Sequence, residues 1–532
     1  MKAFKKIVSI AILAAMAVSM FAGCGGGDDV VVDDGSAKLT YWAPNNASKY
    51  VSTYDEVYSF QKIQENLGVD IEFIHPSAST GNEQFNIMIA SGEYTDLIYA
   101  PNWGSLYNGG LSQALKDNVI VDLTPYYESD KMPNFKKTVQ KFPGLETDYK
   151  TVEGEILFVD AIRSDEAMNA SLGLIIRKDW LDKLNLSVPE SITDWYNMLV
   201  AFRDKDPNGN GQKDEIPYGD HKSQFFGNFA AAFGTKRAYY KKDGKIVYGS
   251  VQPEYKEYLI EMNKWYNEGL LESEFAAIAK TNLDANVLND KVGAFVGYVG
   301  SYMGNYLNAK KGSGTSFDLV AAPWPKTKDG RKFAPTDITG NAGTGGLVMT
   351  TACKNPDMAI KFMDYMYSED ATELLNWGEE GKTYTNEGGE RKLTDFVLNN
   401  PNGDEPLAAS SDYFFGSLGV PPKYWLYDSY AQLQFNYPQQ KEATEVWSQE
   451  ADNMLVAAKY KFTAEEDKRL AQLKADLNTY EAEMFTKMVI GKEPIDKFDE
   501  YVETLYSLGL DEVLEIYEAG HARYQEMAKK EK

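Results

Sequence analysis

The chain has 532 residues, of which 43% are hydrophobic and 25% charged, and its formal net charge is −25. This length is too great for one ordinary core, so two domains or lobes of a folded globular protein are expected. The negative charge argues against nucleic acid or anionic lipid as a partner. Aromatic residues make up 13% of the chain, which suits a large core and also a surface that binds sugars or peptides.

Residues 1–23 have the pattern of an export signal. Three lysines lie within residues 2–6, residues 7–20 form an apolar run, and small residues precede Cys24. This arrangement is typical of a lipobox, so we predict cleavage before Cys24 and acylation of that residue. An ordinary signal peptide that ends near a cysteine is the alternative. The lipobox places the protein on the extracytoplasmic face of a bacterial membrane, held only by its lipid.

The segment that follows the cleavage site is a predicted tether. Residues 24–37 are rich in glycine and acidic residues and carry too little apolar surface to fold. After Cys24 is acylated only Cys353 remains, so no internal disulfide is possible. A core of this size does not require one.

From Lys38 onward, predicted strands and helices alternate. Residues 39–42, 69–74 and 96–99 have the composition of strands, and residues 57–67 have one apolar helical face that Gly68 ends. Such alternation predicts an α/β fold with a mostly parallel sheet that is covered on both faces.

The same alternation continues in the middle of the chain. Residues 174–176 and 292–296 are continuous apolar runs, which are typical of buried strands. Two helices are predicted between these runs, and Ser191 and Asp194 have the spacing of a capping box at the start of the second one.

The end of the chain is predicted to be helical. Thr463 and Glu466 form a second capping box ahead of a long apolar stripe. Such a stripe normally faces a core, and a surface for a partner helix is the alternative. The glycine-rich residues 321–346 are a place where the chain could cross between lobes.

Residues 206–215 carry oxygen-bearing side chains at the spacing of an EF-hand calcium loop, with Asp206 as position 1 and Gly211 as position 6. Position 12 is Pro217, so Glu215 at position 10 would replace the usual glutamate. An ordinary surface turn is the alternative, because the same residue types dominate turns. The predicted structural Ca²⁺ ligands are Asp206, Asn208, Asn210, Gln212, Asp214 and Glu215.

The sequence carries no signature of catalysis. Its 3 histidines are isolated, the glycines of residues 340–346 lack the lysine of a phosphate-binding loop, and no nucleophile elbow occurs. A glycosidase needs only two carboxylates, but nothing in the sequence specifies their separation. We therefore expect a binding protein and not an enzyme.

Aromatic residues outside helical stripes are the candidate ligand contacts. Several follow predicted strands, and the carboxyl ends of strands border the ligand crevice of open α/β sheets. A place in the core is the alternative for each of them. The candidates are Trp42, Trp103, Tyr298, Trp324 and Trp425.

Several of these segments together resemble a known family. They are the lipobox at Cys24, the strand LTYW, the segment NIMIASGEYTDLIYAP, the loop DPNGNGQKDEIP, the segment GNAGTGGLVMTT and the tail LGLDEVLEIYEAGHARY. From about residue 38 onward the chain resembles the extracellular solute-binding proteins of ABC importers, family 1. Within that family it is most similar to the alginate and aldouronate oligosaccharide receptors.

The resemblance implies an α/β, two-lobe, periplasmic-binding-protein-like fold with a central ligand cleft and a helical C-terminal region. The first lobe would comprise roughly residues 38–160 and 335–395, and the second roughly residues 161–334 and 396–532. The resemblance also implies a calcium site in the second lobe, away from the sugar.

The implied function is that of the lipid-anchored substrate-binding component of an ABC transporter. It would capture a carbohydrate, most simply an oligosaccharide, by lobe closure and deliver it to permease subunits in the membrane. We expect a monomer that binds no nucleic acid. The alternatives are a secreted glycoside hydrolase, a receptor for another solute such as a peptide, and a calcium-dependent scaffold module, which would need a second calcium loop.

Overall fold

The computed structural model describes residues 37–45, 50–77, 79–100, 102–221, 227–314, 316–333, 341, 346–402, 404–415, 422–448 and 458–531. The predicted export signal, Cys24 and most of the tether lie outside these residues. Ala37–Lys532 form one compact unit. Within the part of the chain that is described, no helix has both the length and the apolar character needed to cross a membrane.

The strands, in chain order, are β1 (Ala37–Trp42), β2 (Val69–Ile74), β3 (Leu97–Ala100), β4 (Ile162–Arg163), β5 (Leu172–Arg177), β6 (Ile216–Tyr218), β7 (Tyr239–Lys242), β8 (Lys245–Tyr248), β9 (Val292–Tyr298), β10 (Leu319–Ala322), β11 (Gly346–Met349), β12 (Tyr384–Glu387), β13 (Glu390–Leu393) and β14 (Tyr424–Trp425).

The helices are α1 (Tyr58–Leu67), α2 (Gly81–Ser91), α3 (Trp103–Leu106), α4 (Gly110–Lys116), α5 (Thr124–Glu128), α6 (Pro133–Val139), α7 (Leu145–Tyr149), α8 (Lys178–Leu184), α9 (Ile192–Asp204), α10 (Gly227–Ala230), α11 (Pro253–Asn267), α12 (Lys280–Leu288), α13 (Asn305–Lys310), α14 (Pro356–Tyr365), α15 (Glu369–Trp377), α16 (Asp395–Leu398), α17 (Pro406–Ser410), α18 (Tyr427–Gln434), α19 (Pro438–Ser448), α20 (Ala464–Val489), α21 (Phe498–Ser507) and α22 (Leu510–Lys530).

The first sheet has the strand order β11-β3-β1-β2. Strand β1 runs parallel to β2 and β3, whereas β11 pairs antiparallel with β3. Helix α1 buries Phe60, Ile63 and Leu67, and Gly68 ends it in the left-handed region with φ 63°. Glycine adopts this conformation without steric cost, which lets the chain turn directly into β2. The predicted mostly parallel sheet is confirmed here.

The second sheet has the order β10-β5-β9-β6 and corrects that prediction, because β5 runs antiparallel to both β9 and β10. Leu172 at the start of β5 pairs with Tyr298 at the end of β9, so β5 begins at the end of the sheet where β9 finishes. The predicted continuous burial of β9 is confirmed for Val292–Val296. Helices cover both faces, with Trp180 in one buried cluster and Trp447 in the other.

The C-terminal helices share the core of the second sheet. Leu477 and Phe485 of α20 belong to the same buried cluster as Trp265 of α11. Both predicted capping boxes are confirmed, at Ser191 for α9 and at Thr463 for α20. The apolar stripe of α20 therefore has the predicted core role.

The α/β class is confirmed, and the two sheets lie in different parts of the chain. Strand β11 returns to the first sheet from the region predicted to rejoin the first lobe, and β14 pairs in parallel with β4, so the chain crosses more than once. The lobe limits at residues 38–160, 335–395, 161–334 and 396–532 stay a prediction.

Candidate functional site: strand-end rims and an acidic loop

A cavity of about 620 Å³ lies at the carboxyl ends of β1 and β2. Trp42 is the last residue of β1, is 5% exposed, and packs on Phe85 with 5.8 Å between ring centroids. Most of the other lining residues have polar side chains. The lining residues are Trp42, Pro44, Asn45, Ser52, His75, Pro76, Ser77, Ser79, Thr80, Gly81, Asn82, Glu83 and Leu106.

His75 holds this rim in place. Its Nδ1 lies 2.8 Å from the carbonyl of Ala43, and its Nε2 accepts from the backbone N–H of Tyr54 at 3.3 Å. With Nε2 as acceptor, Nδ1 is the ring nitrogen that donates to the Ala43 carbonyl. The ring also stacks on Phe73 at 6.1 Å. The first rim is therefore a fixed surface of hydroxyls, amides and one tryptophan edge, which suits a polar ligand with some apolar surface.

The second sheet presents a different rim at the carboxyl end of β9. Tyr298, the last residue of β9, is 38% exposed, and its ring lies 6.3 Å from that of Tyr302. The Tyr302 hydroxyl lies 2.6 Å from His221 Nε2. Lys280 Nζ lies 4.2 Å from the Tyr302 ring centroid and also donates to Asp284 at 2.8 Å.

Burial shifts the pKa values of two side chains beside this second rim. It lowers the pKa of His221, and the nearby Lys280 cation lowers that pKa further. Burial also raises the pKa of Asp220 well above its ordinary value, although its Oδ1 accepts from the backbone N–H of His221 at 2.7 Å. Both shifts favour the neutral forms of these two side chains, which are 0% (Asp220) and 5% (His221) exposed.

Sequence reasoning missed His221, Tyr302 and Lys280 as rim residues. The available signal was the order of the elements, because α12 ends at Leu288 and β9 begins at Val292, and a helix joined to a strand by so short a turn folds back along it. The first turn of such a helix lies beside the carboxyl end of the next strand. Lys280 is that first residue.

Of the five predicted aromatic contacts, the structure places Trp42 and Tyr298 at the two rims and buries the others. Trp103 is 3% exposed and donates from Nε1 to the carbonyl of Gly346 at 3.1 Å. Trp324 is 1% exposed and belongs to the core of the second sheet. Trp425 is 2% exposed and packs edge-on against Tyr430. Packing explains these three tryptophans, and ligand contact stays a prediction for all five residues.

The acidic loop folds around Asp206, which has φ 44° in the left-handed region. Its Oδ1 accepts from the backbone N–H groups of Gly209 and Asn210 at 2.9 and 3.1 Å, and its Oδ2 accepts from that of Gly211 at 3.0 Å. Asp214 closes the loop, because its Oδ1 accepts from the amide of Asn210 at 2.9 Å. The local sequence thus brings five of the six predicted metal ligands into one turn, from Asp206 to Asp214.

Glu215, the sixth predicted ligand, has the chemistry that a cation would complement. Both of its carboxylate oxygens are buried and have no hydrogen-bond partner among the described residues. Burial raises the pKa of Glu215, and the charges of Asp206 and Asp214 raise it further. No group of three or more His, Cys, Asp or Glu side chains in the described chain is arranged to hold a metal. A cation here would therefore need amide and carbonyl oxygens as well.

The sequence pattern of the bacterial extracellular solute-binding proteins matches residues 43–373 of this chain. The chain belongs to that family. This solute-binding protein is 26% identical over 382 residues to lipoprotein LipO of Bacillus subtilis (strain 168), covering 69% of this chain and 72% of LipO. It is 23% identical over 501 residues to FusA of Streptococcus pneumoniae serotype 4, a fructooligosaccharide ABC transporter substrate-binding protein, covering 88% of each.

Its fold is similar to the crystal structure of the alginate-binding protein AlgQ2 without calcium ion. The TM-score is 0.75 at 22% identity, and the match covers 91% of this chain and 98% of AlgQ2. The similarity confirms the predicted α/β, two-lobe solute-binding fold. The family consists of extracellular binding proteins, which agrees with the expected class and location outside the cytoplasm.

Proposed function

We propose that this solute-binding protein is the substrate-binding component of an ABC transporter and captures an oligosaccharide for a membrane permease. The observation that carries the proposal is the chemistry of the two rims. Trp42 lines the first rim among hydroxyl and amide groups, and Tyr298 is exposed at the second. Aromatic faces suit the apolar faces of sugar rings, and amides and hydroxyls suit their hydroxyl groups. The similarity to FusA supports a carbohydrate ligand.

Capture would work by a population shift. A sugar that contacts both lobes binds the closed form more tightly than the open form, so it raises the closed population. The closed protein, acting as a monomer, would then dock on the permease, and it would catalyse no reaction on the sugar.

Anchoring through Cys24 is part of the proposal, supported by the lipobox pattern and the similarity to a lipoprotein. Cys24→Ala should move the protein from the membrane fraction to the medium or periplasm. Retention of the variant in the membrane would contradict lipid anchoring.

We also propose a structural Ca²⁺ in the loop of residues 206–215, held by Asp206, Asn208, Asn210, Gln212, Asp214 and Glu215 with backbone carbonyls. The ion would supply positive charge to three carboxylates, including the unpartnered oxygens of Glu215. EDTA should lower the thermal unfolding midpoint, and added Ca²⁺ should restore it, because a ligand of the native state stabilises by mass action.

The control for the loop is a matched pair of variants. Glu215→Gln should abolish the response to EDTA, whereas Glu503→Gln, the same change on an exposed face of α21, should leave it intact. A midpoint that EDTA does not move in the wild type would refute the calcium site.

The sugar proposal is tested by unfolding the protein against a panel of oligosaccharides while monitoring hydrolysis. A raised midpoint without product supports a receptor, product supports a glycosidase, and a response to peptides alone supports a peptide receptor. Tyr298→Ala should weaken sugar affinity by about tenfold through lost stacking. Tyr506→Ala is the matched control, because Tyr506 is also 38% exposed but lies on α21.

A further inference from the structure

The acidic loop contains two asparagines that are each followed by glycine, Asn208 before Gly209 and Asn210 before Gly211. Such asparagines are chemically labile, because glycine has no side chain to keep its backbone nitrogen away from the asparagine amide. The glycine nitrogen bonds to Cγ, the bond from Cγ to the amide nitrogen breaks, and ammonia leaves with the proton of the glycine N–H. Water then opens the succinimide to aspartate or isoaspartate.

The folded loop holds both attacking nitrogens. The N–H of Gly209 donates to Asp206 Oδ1 at 2.9 Å, and the N–H of Gly211 donates to Asp206 Oδ2 at 3.0 Å. The attacking species is the deprotonated amide nitrogen, which carries negative charge. A carboxylate that accepts the N–H bond opposes this charge, so Asp206 disfavours attack at both glycines.

The two asparagine amides that would be attacked are also held. Asn208 Oδ1 accepts from the backbone N–H of Asn210 at 3.0 Å, and Asn210 Oδ1 accepts from that of Gln212 at 2.7 Å. The side-chain nitrogens of both asparagines donate to Asp214 Oδ1, at 3.2 and 2.9 Å. Each amide is fixed at its oxygen and its nitrogen, so turning Cγ toward the glycine nitrogen breaks these bonds.

The bonds that protect the loop lie at the surface. Residues 209–212 are exposed, and hydrogen bonds of exposed loops open at a low free energy. The carboxylates of Asp206, Asp214 and Glu215 share this short segment, and repulsion between them favours opening. An ion in the loop would oppose opening, because it would bind these carboxylates and the same amide oxygens.

We propose that Asn208 and Asn210 are modification sites whose deamidation is blocked while the loop is folded and proceeds when the loop opens. The product adds negative charge to a loop that already holds three carboxylates, and isoaspartate also lengthens the backbone. Deamidation would therefore make the opening of the loop permanent. Protection by Asp206 stands without a metal, whereas protection by an ion rests on the proposed Ca²⁺ site.

Mass spectrometry of the full mature chain after incubation in mildly alkaline buffer tests the sites. Trypsin should release the loop as residues 206–213, because Lys205 precedes it and Lys213 ends it. The deamidated fraction of this peptide should grow about tenfold more slowly in the folded chain than in the urea-unfolded chain, since the reaction requires local opening. Equal rates in the two states would overturn the proposal.

A matched pair of variants tests the role of Asp206. Asp206→Ala removes the acceptor of both glycine N–H groups, so it should raise the rate in the folded chain about fivefold. Asp204→Ala is the control, because Asp204 is exposed, pairs with Arg203 outside the loop, and should leave the rate unchanged. Equal rates for the two folded variants would also overturn the proposal. The wild-type comparison decides the question if Asp206→Ala does not fold.

Incubation with Ca²⁺ or with EDTA separates protection by an ion from protection by the fold. The folded wild-type loop should react about fivefold more slowly with Ca²⁺ than with EDTA, because the ion binds the closed loop. Equal rates would overturn protection by the ion. A thermal midpoint that EDTA does not move, in a chain whose loop still reacts more slowly than the unfolded chain, would refute the calcium site and support protection by Asp206.

Discussion

Replacing Glu481 by glutamine should destabilise the protein strongly, because this carboxylate accepts four hydrogen bonds inside the core of the second sheet. Glu481 is 5% exposed. Arg237 donates to its two oxygens at 2.9 and 2.7 Å. The hydroxyls of Ser250 and Tyr255 donate to Oε1 at 3.1 and 3.2 Å. Arg237 also lies 3.9 Å from the ring centroid of Phe485, so the pair is packed as well as bonded.

The size of the stability loss depends on the contacts that glutamine cannot make. It keeps the shape of Glu481 but turns an NH₂ group toward a donor and removes the charge opposite Arg237. Removing one partner of a buried ion pair costs about 3 to 5 kcal/mol. The Arg237 side chain is 21% exposed, so solvent relieves part of the penalty. We therefore expect a loss near the lower end, about 3 kcal/mol.

Urea unfolding of wild type and variants measures this loss. The control is Glu512→Gln, because Glu512 on α22 accepts from both Nε and Nη2 of Arg469 on α20 at 2.6 Å, in a geometry like that of Arg237 and Glu481. The side chains of that pair are 46% and 43% exposed, so its loss should change the urea midpoint little. Equal midpoints for the two variants would refute the claim that burial makes the Arg237 pair important.

Two further predictions concern packing and pH. Gly173→Ala should lower the free energy of unfolding by about 2 kcal/mol in the same urea assay, because the added Cβ would lie 2.2 Å from the Trp447 ring. An unchanged urea midpoint would show that the ring moves freely. Burial lowers the pKa of Lys423 to about 7. The unfolded chain then binds more protons, so wild-type stability should rise from about pH 7 to about pH 9 relative to Lys423→Met. Parallel pH profiles would contradict this.

Local sequence determined the secondary-structure elements that could be predicted. The strands near Leu39 and Val69, the helix end at Gly68 and the capping boxes at Ser191 and Thr463 all depend on residues close together in the chain. Periodicity and capping are local properties, so they can be read without knowledge of the fold. The curled turn at residues 206–214 is predictable for the same reason, since its hydrogen bonds join near neighbours.

Strand direction in the second sheet was not predictable in this way. Apolar runs identify β5 and β9 as buried strands, but the same runs fit a parallel or an antiparallel pairing. The pairing of Leu172 with Tyr298 depends on the end of the sheet at which the chain enters β5. That end is set by how the chain crosses between the two sheets, which involves residues far apart in sequence.

For the candidate binding residues, too, local sequence and tertiary packing decide different properties. Sequence alone selected Tyr298 and Trp324 on equal terms, yet one is 38% exposed and the other 1%. Exposure depends on which layers pack over a side chain, and no local pattern encodes that. The contact of His221 with Tyr302 likewise arises only when distant segments meet. The sequence by itself determined the main predicted elements, the family resemblance and the acidic loop, while tertiary packing decided which side chains are available to a ligand.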